Sequence, residues 1–343
     1  MIFNDSVTGA RGIPNAVCRE KIPESGEVTE YRFNSCGHRS ALECAVKDPK
    51  AYRVVMIGTS VAIGMRVPQE ETFAALLPSE LSRMTKQNVE LYNEGMPWRS
   101  PNVWAAHFKD VLSAEPSLIL WILTPVDIER SAWVPKPHGA EPLGFIATAW
   151  QQTKETFASK SFGAALTEIF GNSRTALLLR HMLYRSRNQY IKSVLMATDG
   201  EERFLRNESN AESVSRLEDF DRDVASIENQ AKAAGVPLVT VLVPDRAQAA
   251  MISMGEWPEG FDPYKLNNQV RSIVVSHGGI YVDIFAGFRT VPNPEQGYFL
   301  IDGHPNAQGH LLVSELLAQQ LMSGVIPPLK AADQSRPASG PGR

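Results

Sequence analysis

The stretch VVMIGTS, residues 54–60, decides the fold class of this chain. Its apolar residues run into the small residues of 58–60, the pattern of a buried strand that ends in a tight turn. Further apolar runs near 88–93, 117–124, 237–243 and 279–284 alternate with helical patterns near 70–84, 101–114, 213–234, 264–276 and 306–322. Such alternation is typical of a parallel sheet covered by helices on both faces. The sequence therefore predicts an α/β fold with a five-stranded parallel sheet.

The remaining segments predict how the chain is divided. Residues 1–50 are polar and turn-rich, which indicates an N-terminal extension that wraps a main domain of residues 51–324. The interval of about 128–212 is too long for a simple crossover, so we expect a helical insertion beside the site, where substrate choice could be made. Residues 325–343, rich in Pro, Ser, Gly and Ala, have the composition of a disordered tail.

Composition excludes several classes of function. With 343 residues, 43% hydrophobic residues and a net charge of −4, the chain can bury a sizeable core and is ordinary for a globular protein. No basic stripe with interleaved aromatics indicates a nucleic-acid partner. No apolar stretch approaches the length of a membrane span. The sequence does not predict the oligomeric state.

The cysteines bear on the compartment. Cys18, Cys36 and Cys44 are the only three cysteines, and no CxxC spacing indicates zinc. One disulfide with a spare thiol and three reduced thiols both remain open. The first eleven residues lack the pattern of a signal peptide, which favours the cytoplasm. Cysteines clustered in a polar segment favour an oxidising compartment instead.

Three residues supply the groups that acyl transfer needs. Ser60 follows the first strand, and Asp302 and His304 lie just ahead of the last helical pattern. A serine hydroxyl is a weak nucleophile until a histidine takes its proton, and that histidine needs a carboxylate to fix its tautomer. Residues two apart share a side of an extended segment, and Pro305 biases His304 away from helical angles. We therefore expect Asp302 to reach the imidazole nitrogen that Ser60 does not use.

Other polar residues mark the same edge of the predicted sheet. Asn93, Asp127, Asp245 and Asp283 follow or finish predicted strands, as Ser60 does. Sites of open parallel sheets form at the carboxyl ends of the strands. We therefore expect these side chains to surround one site.

With those residues in place, the chain resembles the SGNH (GDSL-type) hydrolases. The first block is GTS at 58–60, followed by VPQEETF at 67–73, and the second is NEG at 93–95. The last block is DGHPN at 302–306. The segment YRFNSCGHR at 31–39 resembles the lead-in of many bacterial members that are exported from the cytoplasm, which favours an extracytoplasmic location.

The resemblance implies a flavodoxin-like three-layer α/β/α sandwich and a serine-dependent esterase. It assigns Ser60 as nucleophile, His304 as base and Asp302 as the orienting acid. Backbone amides at Ser60 and Gly95 would hold the oxyanion. No metal or organic cofactor is implied, and substrates would be acetylated sugars or short acyl esters.

Block three departs from the family pattern. The chain has TPVD at 124–127, so Val126 stands where the family usually places an oxyanion-binding asparagine. Asn93 is the side chain that could fill this role. The usual Asp-x-x-His is shortened to Asp-x-His, and Thr59 replaces the aspartate of the GDS motif, a position that is not catalytic in the family.

Other readings stay open beside the esterase. Val126 favours a non-catalytic carbohydrate-binding relative, and transfer of the acyl group to another alcohol is a third alternative. An α/β-hydrolase elbow is disfavoured because Ala62 replaces its second glycine and because acid and histidine lie close together. Trp98, Trp133 and Asp127 are candidates for the substrate pocket, Asp127 first as a buttress of the loops.

Overall fold

The computed structural model describes residues 2–5, 9–22, 24–44, 47–131, 178, 181–196, 201–326 and 329. The N-terminal part contains two antiparallel hairpins, whose strands are β1 (Ile2–Asp5) with β2 (Gly9–Gly12) and β3 (Val17–Lys21) with β4 (Val28–Arg32). The polar, turn-rich sequence of 1–50 predicted none of these strands, which are only four or five residues long. Of the strands β3 and β4, only β4, with buried Thr29 and Tyr31, alternates as a strand should.

Five parallel strands form the central sheet. They are β5 (Tyr52–Gly58), β6 (Val89–Asn93), β7 (Leu118–Leu123), β8 (Leu238–Leu242) and β9 (Ile280–Val282). Their order is β6-β5-β7-β8-β9, and every neighbouring pair is parallel. This is the flavodoxin-like strand order, in which the first strand of the sheet lies second and the winding reverses between β5 and β7. The predicted fold class is confirmed.

Helices cover the sheet in two layers. In one layer α2 (Phe73–Thr85) packs against α11 (Ala307–Gln320), and in the other α7 (Ala211–Ala233) packs against both α3 (Pro101–Ala106) and α9 (Lys265–Ser276). The helices are α1 (Ser60–Ile63), α2 (Phe73–Thr85), α3 (Pro101–Ala106), α4 (Phe108–Ser113), α5 (Pro125–Glu129), α6 (Arg187–Leu195), α7 (Ala211–Ala233), α8 (Arg246–Met254), α9 (Lys265–Ser276), α10 (Phe285–Phe288) and α11 (Ala307–Gln320). Asn306 caps α11, because its side chain accepts the N–H groups of Gln308 and Gly309.

The central strands are buried on both faces, which explains their continuous apolar runs. Every residue of β7 and β8 is buried. Trp121 of β7 packs against Phe220 of α7, with ring centroids 5.9 Å apart. Full burial of side chains of this size contributes roughly 1.5–3 kcal/mol each. The sheet is therefore a rigid base for the loops at its carboxyl edge.

Two helices differ from the sequence prediction. The single helix expected over 101–114 is broken at His107, which ends α3 and precedes α4 with a non-helical backbone (φ −115°, ψ 20°). Helix α8 was not predicted. Its residues from Arg246 to Ile252 are all buried, so the segment has no polar face and lacks the helical periodicity that marks a surface helix.

The predicted insertion and tail fall largely beyond the described residues. Within about 128–212, residues 132–177 and 197–200 lie outside them, while α6 and a short 3₁₀ turn at Glu201–Leu205 are described. Of the predicted tail, only 325, 326 and 329 are described. The domain boundaries remain predictions. In the parts of the chain that the structure describes, no helix is long and apolar enough to cross a membrane.

A disulfide joins Cys36 to Cys44, and Cys18 is free and half-buried. Between the two half-cystines, the guanidinium of Arg39 donates hydrogen bonds to the carbonyls of Ile63, Gly64 and Val67. The disulfide loop therefore carries the side chain that satisfies the end of α1.

Removing this disulfide is expected to destabilise the protein. Closing a loop of eight residues is worth about 2–3 kcal/mol in the chain-entropy account. The double variant Cys36→Ser/Cys44→Ser should therefore show a lower free energy of unfolding in urea by about that amount. Cys18→Ser is the matched control and should change the free energy by less than about 1 kcal/mol. Equal stability of the double variant and the parent would contradict the prediction.

Candidate active site

Ser60 lies at the turn between β5 and helix α1. The strand ends at Gly58, and Thr59 precedes Ser60, the first residue of α1. The helix stops after one turn at Gly64, whose left-handed backbone (φ 73°) directs its N–H to the carbonyls of Ser60 and Val61. Ser60 is half-buried and lies at the carboxyl edge of the sheet, where sites of this fold form.

Asp302 and His304 lie together in the turn before α11. His304 Nδ1 and Asp302 Oδ1 are 2.6 Å apart, the distance of a strong hydrogen bond to an ionised carboxylate. Gly303 between them has a left-handed backbone (φ 82°). The N–H of Phe299 bonds to the carbonyl of His304 at 2.8 Å and closes the turn. Asp302 is therefore bonded to Nδ1 of the His304 imidazole.

Charge and hydrogen bonding keep the Asp302 carboxyl ionised. Burial alone raises the pKa of Asp302, but the charge and hydrogen bonds of His304 and the charge of Arg66 outweigh burial and lower the pKa to about 2. An ionised acceptor at Nδ1 favours the tautomer that carries its proton there, and it stabilises an imidazolium. The Nε2 atom of His304 is then the basic nitrogen.

Arg66 connects the Asp302 turn with the loop that starts at Ser60. Its guanidinium Nη1 forms an ion pair with Asp302 Oδ2, the oxygen that His304 does not use. The preceding residue, Met65, donates its N–H to the carbonyl of Ser60 at 3.0 Å. The ion pair therefore fixes the Ser60 loop against the loop of the predicted acid and base.

A second contact joins α2 to α11, the helices that follow the Ser60 loop and the Asp302 turn. The N–H of Phe73 lies 3.2 Å from Nδ1 of His310, and the two rings stack with centroids 5.1 Å apart. His310 is buried, as expected of a structural histidine.

Among the described residues, no hydrogen bond joins Ser60 Oγ to His304 Nε2. Catalytic hydrogen bonds commonly tighten only when substrate is bound.

Asp127 fixes the turn that precedes Ser60. Its Oδ2 accepts the N–H of Thr124 at 2.7 Å and the hydroxyl of Thr124 at 2.8 Å, and the side chain of Thr59 bonds to it as well. Burial raises the pKa of Asp127 despite these hydrogen bonds. These are the contacts of a buttress between the ends of β5 and β7.

The predicted oxyanion donors Gly95 and Asn93 are bonded to each other and to α1. The N–H of Gly95 donates to Asn93 Oδ1 at 2.8 Å, and Asn93 Nδ2 donates to the carbonyl of Ala62 at 2.9 Å. A Cβ at Gly95 would lie 2.7 Å from the Cβ of Ala62, so only glycine fits here. Val126, at the start of α5, is half-exposed.

Trp98 is the described aromatic of the predicted pocket wall. It is half-buried and holds a left-handed backbone (φ 73°), a conformation that persists in a bulky residue only where its surroundings enforce it. It packs beside Ile63 and Met96, and the Arg130 guanidinium lies 5.2 Å from its ring centroid. Trp133, the other aromatic candidate, lies outside the described residues.

Sequence reasoning missed the charged residues that contact the Asp302 turn. Besides Arg66, Glu24 accepts the N–H groups of Ile301 and Asp302 through Oε1, at 3.0 and 2.6 Å. Arg66 directly precedes the VPQEETF block, which was its only cue. Glu24 lies in the extension, where no pattern marked it.

Within the described ranges, no group of three or more His, Cys, Asp or Glu residues is arranged to hold a metal ion.

Comparisons with known proteins give similarity of fold at low identity. No family model matches the chain, and no curated protein matches it. Among solved structures, it is similar to LAE5, an alpha/beta hydrolase from the metagenome of Lake Arreo, with 12% identity, a TM-score of 0.44 and coverage of 78% of this chain and 94% of that one. A catalytic mutant of the acetylxylan esterase Axe2 from Geobacillus stearothermophilus gives 12% identity, a TM-score of 0.43 and coverage of 80% and 96%.

The solved structures that match also include a lipolytic-type protein of the G-D-S-L family from Desulfitobacterium hafniense, with 12% identity, a TM-score of 0.38 and coverage of 79% and 99%. Similarity at this level says nothing about the activity of the chain, which has to be inferred from the residues of the site.

Proposed function

We propose that the chain is a serine-dependent hydrolase of acyl or acetyl esters. The observation that carries the proposal is the Asp302–His304 hydrogen bond of 2.6 Å, in a turn that Arg66 joins to the loop beginning at Ser60. An ionised acid on Nδ1 of a histidine beside a serine loop is the arrangement that activates a hydroxyl nucleophile.

The proposed chemistry follows from these positions. Ser60 Oγ attacks the acyl carbonyl while His304 Nε2 accepts its proton, and Asp302 stabilises the imidazolium. His304 then gives the proton to the leaving alcohol, and water repeats the sequence on the acyl-enzyme to release the acid. The backbone N–H of Ser60, for which the described residues supply no hydrogen-bond acceptor, is the first oxyanion donor of the proposal. Gly95 becomes a further donor when its N–H leaves Asn93 Oδ1, and Asn93 when its Nδ2 turns away from the Ala62 carbonyl.

A fluorophosphonate probe tests this proposal directly. The probe reacts with a serine only where a base activates it, so we expect covalent labelling of the parent protein. The labelling should disappear in Ser60→Ala and persist in Ser113→Ala, an exposed serine of α4. Absence of labelling in the parent, or labelling that survives in Ser60→Ala, would refute the proposal. Hydrolysis of p-nitrophenyl acetate and of acetylated glycans, with and without an added alcohol acceptor, then separates hydrolysis from acyl transfer.

The second candidate is a non-catalytic carbohydrate-binding relative. The observation in its favour is that the predicted oxyanion donors already have acceptors: the N–H of Gly95 bonds to Asn93, and the side-chain amide of Asn93 bonds to Ala62. Val126 has no side-chain donor. Loss of one oxyanion donor costs an enzyme about 3–4 kcal/mol of transition-state stabilisation. A protein of this kind would bind an acetylated glycan without releasing acetate and would not react with the probe.

A further inference from the structure

Arg66 lies between two carboxylates, of which the proposed mechanism uses only one. Its Nη1 pairs with Asp302, and its Nε donates to Glu20 Oε1 at 3.1 Å. Arg66 and Glu20 have side-chain exposures of only 9% and 3%. Burial lowers the pKa of Arg66, but the two carboxylates outweigh burial and raise it. The Asp302–His304 pair therefore continues into a buried chain of alternating charges.

The N-terminal hairpin β3–β4 determines where the Arg66 side chain lies. The N–H of Arg66 donates to the Tyr31 hydroxyl at 2.7 Å, and its carbonyl accepts the Thr29 hydroxyl at 3.1 Å. Tyr31 in turn donates its hydroxyl proton to Glu20 Oε2 at 2.9 Å. The Arg66 backbone is left-handed (φ 65°), which is unfavourable for arginine and is maintained by these bonds.

We propose that Arg66 and Glu20 are positioning residues that place Asp302 against His304 and set the proton affinity of that pair. The inference rests on the proposed function, in which His304 is the base. It gives the N-terminal extension a role in the chemistry of the site, since Glu20 belongs to the hairpin β3–β4. Thr29 and Tyr31, which bond to the Arg66 backbone, belong to the same hairpin.

The two residues act on the pair with opposite sign. The Arg66 cation partly neutralises Asp302, the carboxylate that stabilises a protonated His304, and it also repels the positive charge of that imidazolium. Arg66 therefore favours the neutral imidazole. The Glu20 anion partly cancels Arg66 and therefore favours the imidazolium. The other charged or titratable groups that face this cluster are unchanged in the variants below; they are Glu24, Tyr31, Arg39 and His310.

The test is the pH dependence of kcat/KM for p-nitrophenyl acetate. Arg66→Gln should move the midpoint of the acidic limb to higher pH by about 0.5–1 unit and lower kcat/KM by about 10- to 100-fold through misplacement of Asp302. Glu20→Gln should move the midpoint to lower pH by a similar amount. Arg66→Lys, which keeps the charge, should give the midpoint of the parent. The control is Arg19→Gln, at an exposed arginine that precedes Glu20 in β3, and it should change neither the midpoint nor kcat/KM.

A measurement independent of turnover keeps the inference separate from the proposed function. The His304 ring resonances, followed by NMR against pH, should shift their midpoints in the same opposite directions in Arg66→Gln and Glu20→Gln. If the parent is inactive and unreactive but these midpoints move oppositely, the proposed function fails and the charge coupling stands. If the variants move the midpoint in the same direction, or only alter thermal stability, Arg66 and Glu20 are structural and the inference is overturned. Glu20→Gln and Arg66→Lys keep this test open should Arg66→Gln not fold.

Discussion

Replacing His304 with alanine is expected to lower kcat for p-nitrophenyl acetate by roughly 10⁴- to 10⁶-fold. In the proposed mechanism, Ser60 Oγ loses the group that accepts its proton, and the Asp302 carboxylate, 2.6 Å from Nδ1 in the parent, cannot replace it from its place in the turn. His304 is 23% exposed at its side chain, so its removal opens no large cavity. Circular dichroism and urea denaturation should show a folded variant.

A second histidine–aspartate pair provides the matched control. His277, at the end of α9, has its Nε2 3.0 Å from Asp221 of α7, with side chains 29% and 47% exposed. His277→Ala removes the same chemical pair from another part of the fold and should leave kcat within about twofold of the parent. A comparable loss in both variants would mean that stability rather than catalysis was measured. Full activity in His304→Ala would exclude His304 as the base.

The terminal loop that carries Asp302 and His304 is held from several sides. Arg246, at the start of α8, donates to the carbonyl of Leu300 at 2.6 Å. The hydroxyl of Tyr298 donates to the carbonyl of Pro244 at 2.7 Å. With the contacts of Glu24 and Arg66 to Asp302, these bonds come from the extension, from the Ser60 loop and from the end of β8. A proposed acid–base pair fixed in this way needs little rearrangement to act, which is the condition for effective catalysis by positioned groups.

The sequence predicted the residues of this loop but not what holds them. Ser60, Asp302 and His304 could be chosen because each lies in a short motif whose local geometry follows from its neighbours. Arg66 could not be assigned to Asp302 in this way, because the two residues are far apart in sequence. They meet only when the turn before α11 packs on the loop after α1. Glu20 and Glu24 depend on the hairpin β3–β4, whose short, half-exposed strands leave a weak pattern.

The same distinction explains the fold. Strands such as β7 and β8 were predicted nearly to their ends, because burial on both faces demands an uninterrupted apolar run. Helix α8 was missed because it is buried all round, and the break at His107 was missed because no proline or glycine marks it. Residues with all their contacts in tertiary structure carry little local signal.

Replacing Gly58 with alanine is expected to lower the free energy of unfolding by about 2 to 5 kcal/mol. Gly58 ends β5 with φ 148°, a backbone conformation that favours glycine. A Cβ on Gly58 would lie 2.4 Å from the carbonyl oxygen of Ile122 on the neighbouring strand and 2.8 Å from the Cβ of Ala62. Both atoms belong to the packed sheet and to α1, so relief requires the backbone to move. Urea denaturation of the variant and the parent measures the difference.

Gly255→Ala separates backbone strain from steric contact. Gly255 ends α8 with φ 69°, and nothing lies within 4 Å of a Cβ built there, so its cost should be about 1–2 kcal/mol. A Gly58→Ala variant no less stable than Gly255→Ala would mean that β5 and β7 separate easily at this edge. In the expected case, the shift that relieves the clash also moves Ser60, two residues on, relative to His304. Because a displacement of about 1 Å at a reacting group can cost 10²-fold in rate, whatever Gly58→Ala protein still folds should lose the proposed esterase activity as well as stability. Gly255→Ala should keep it.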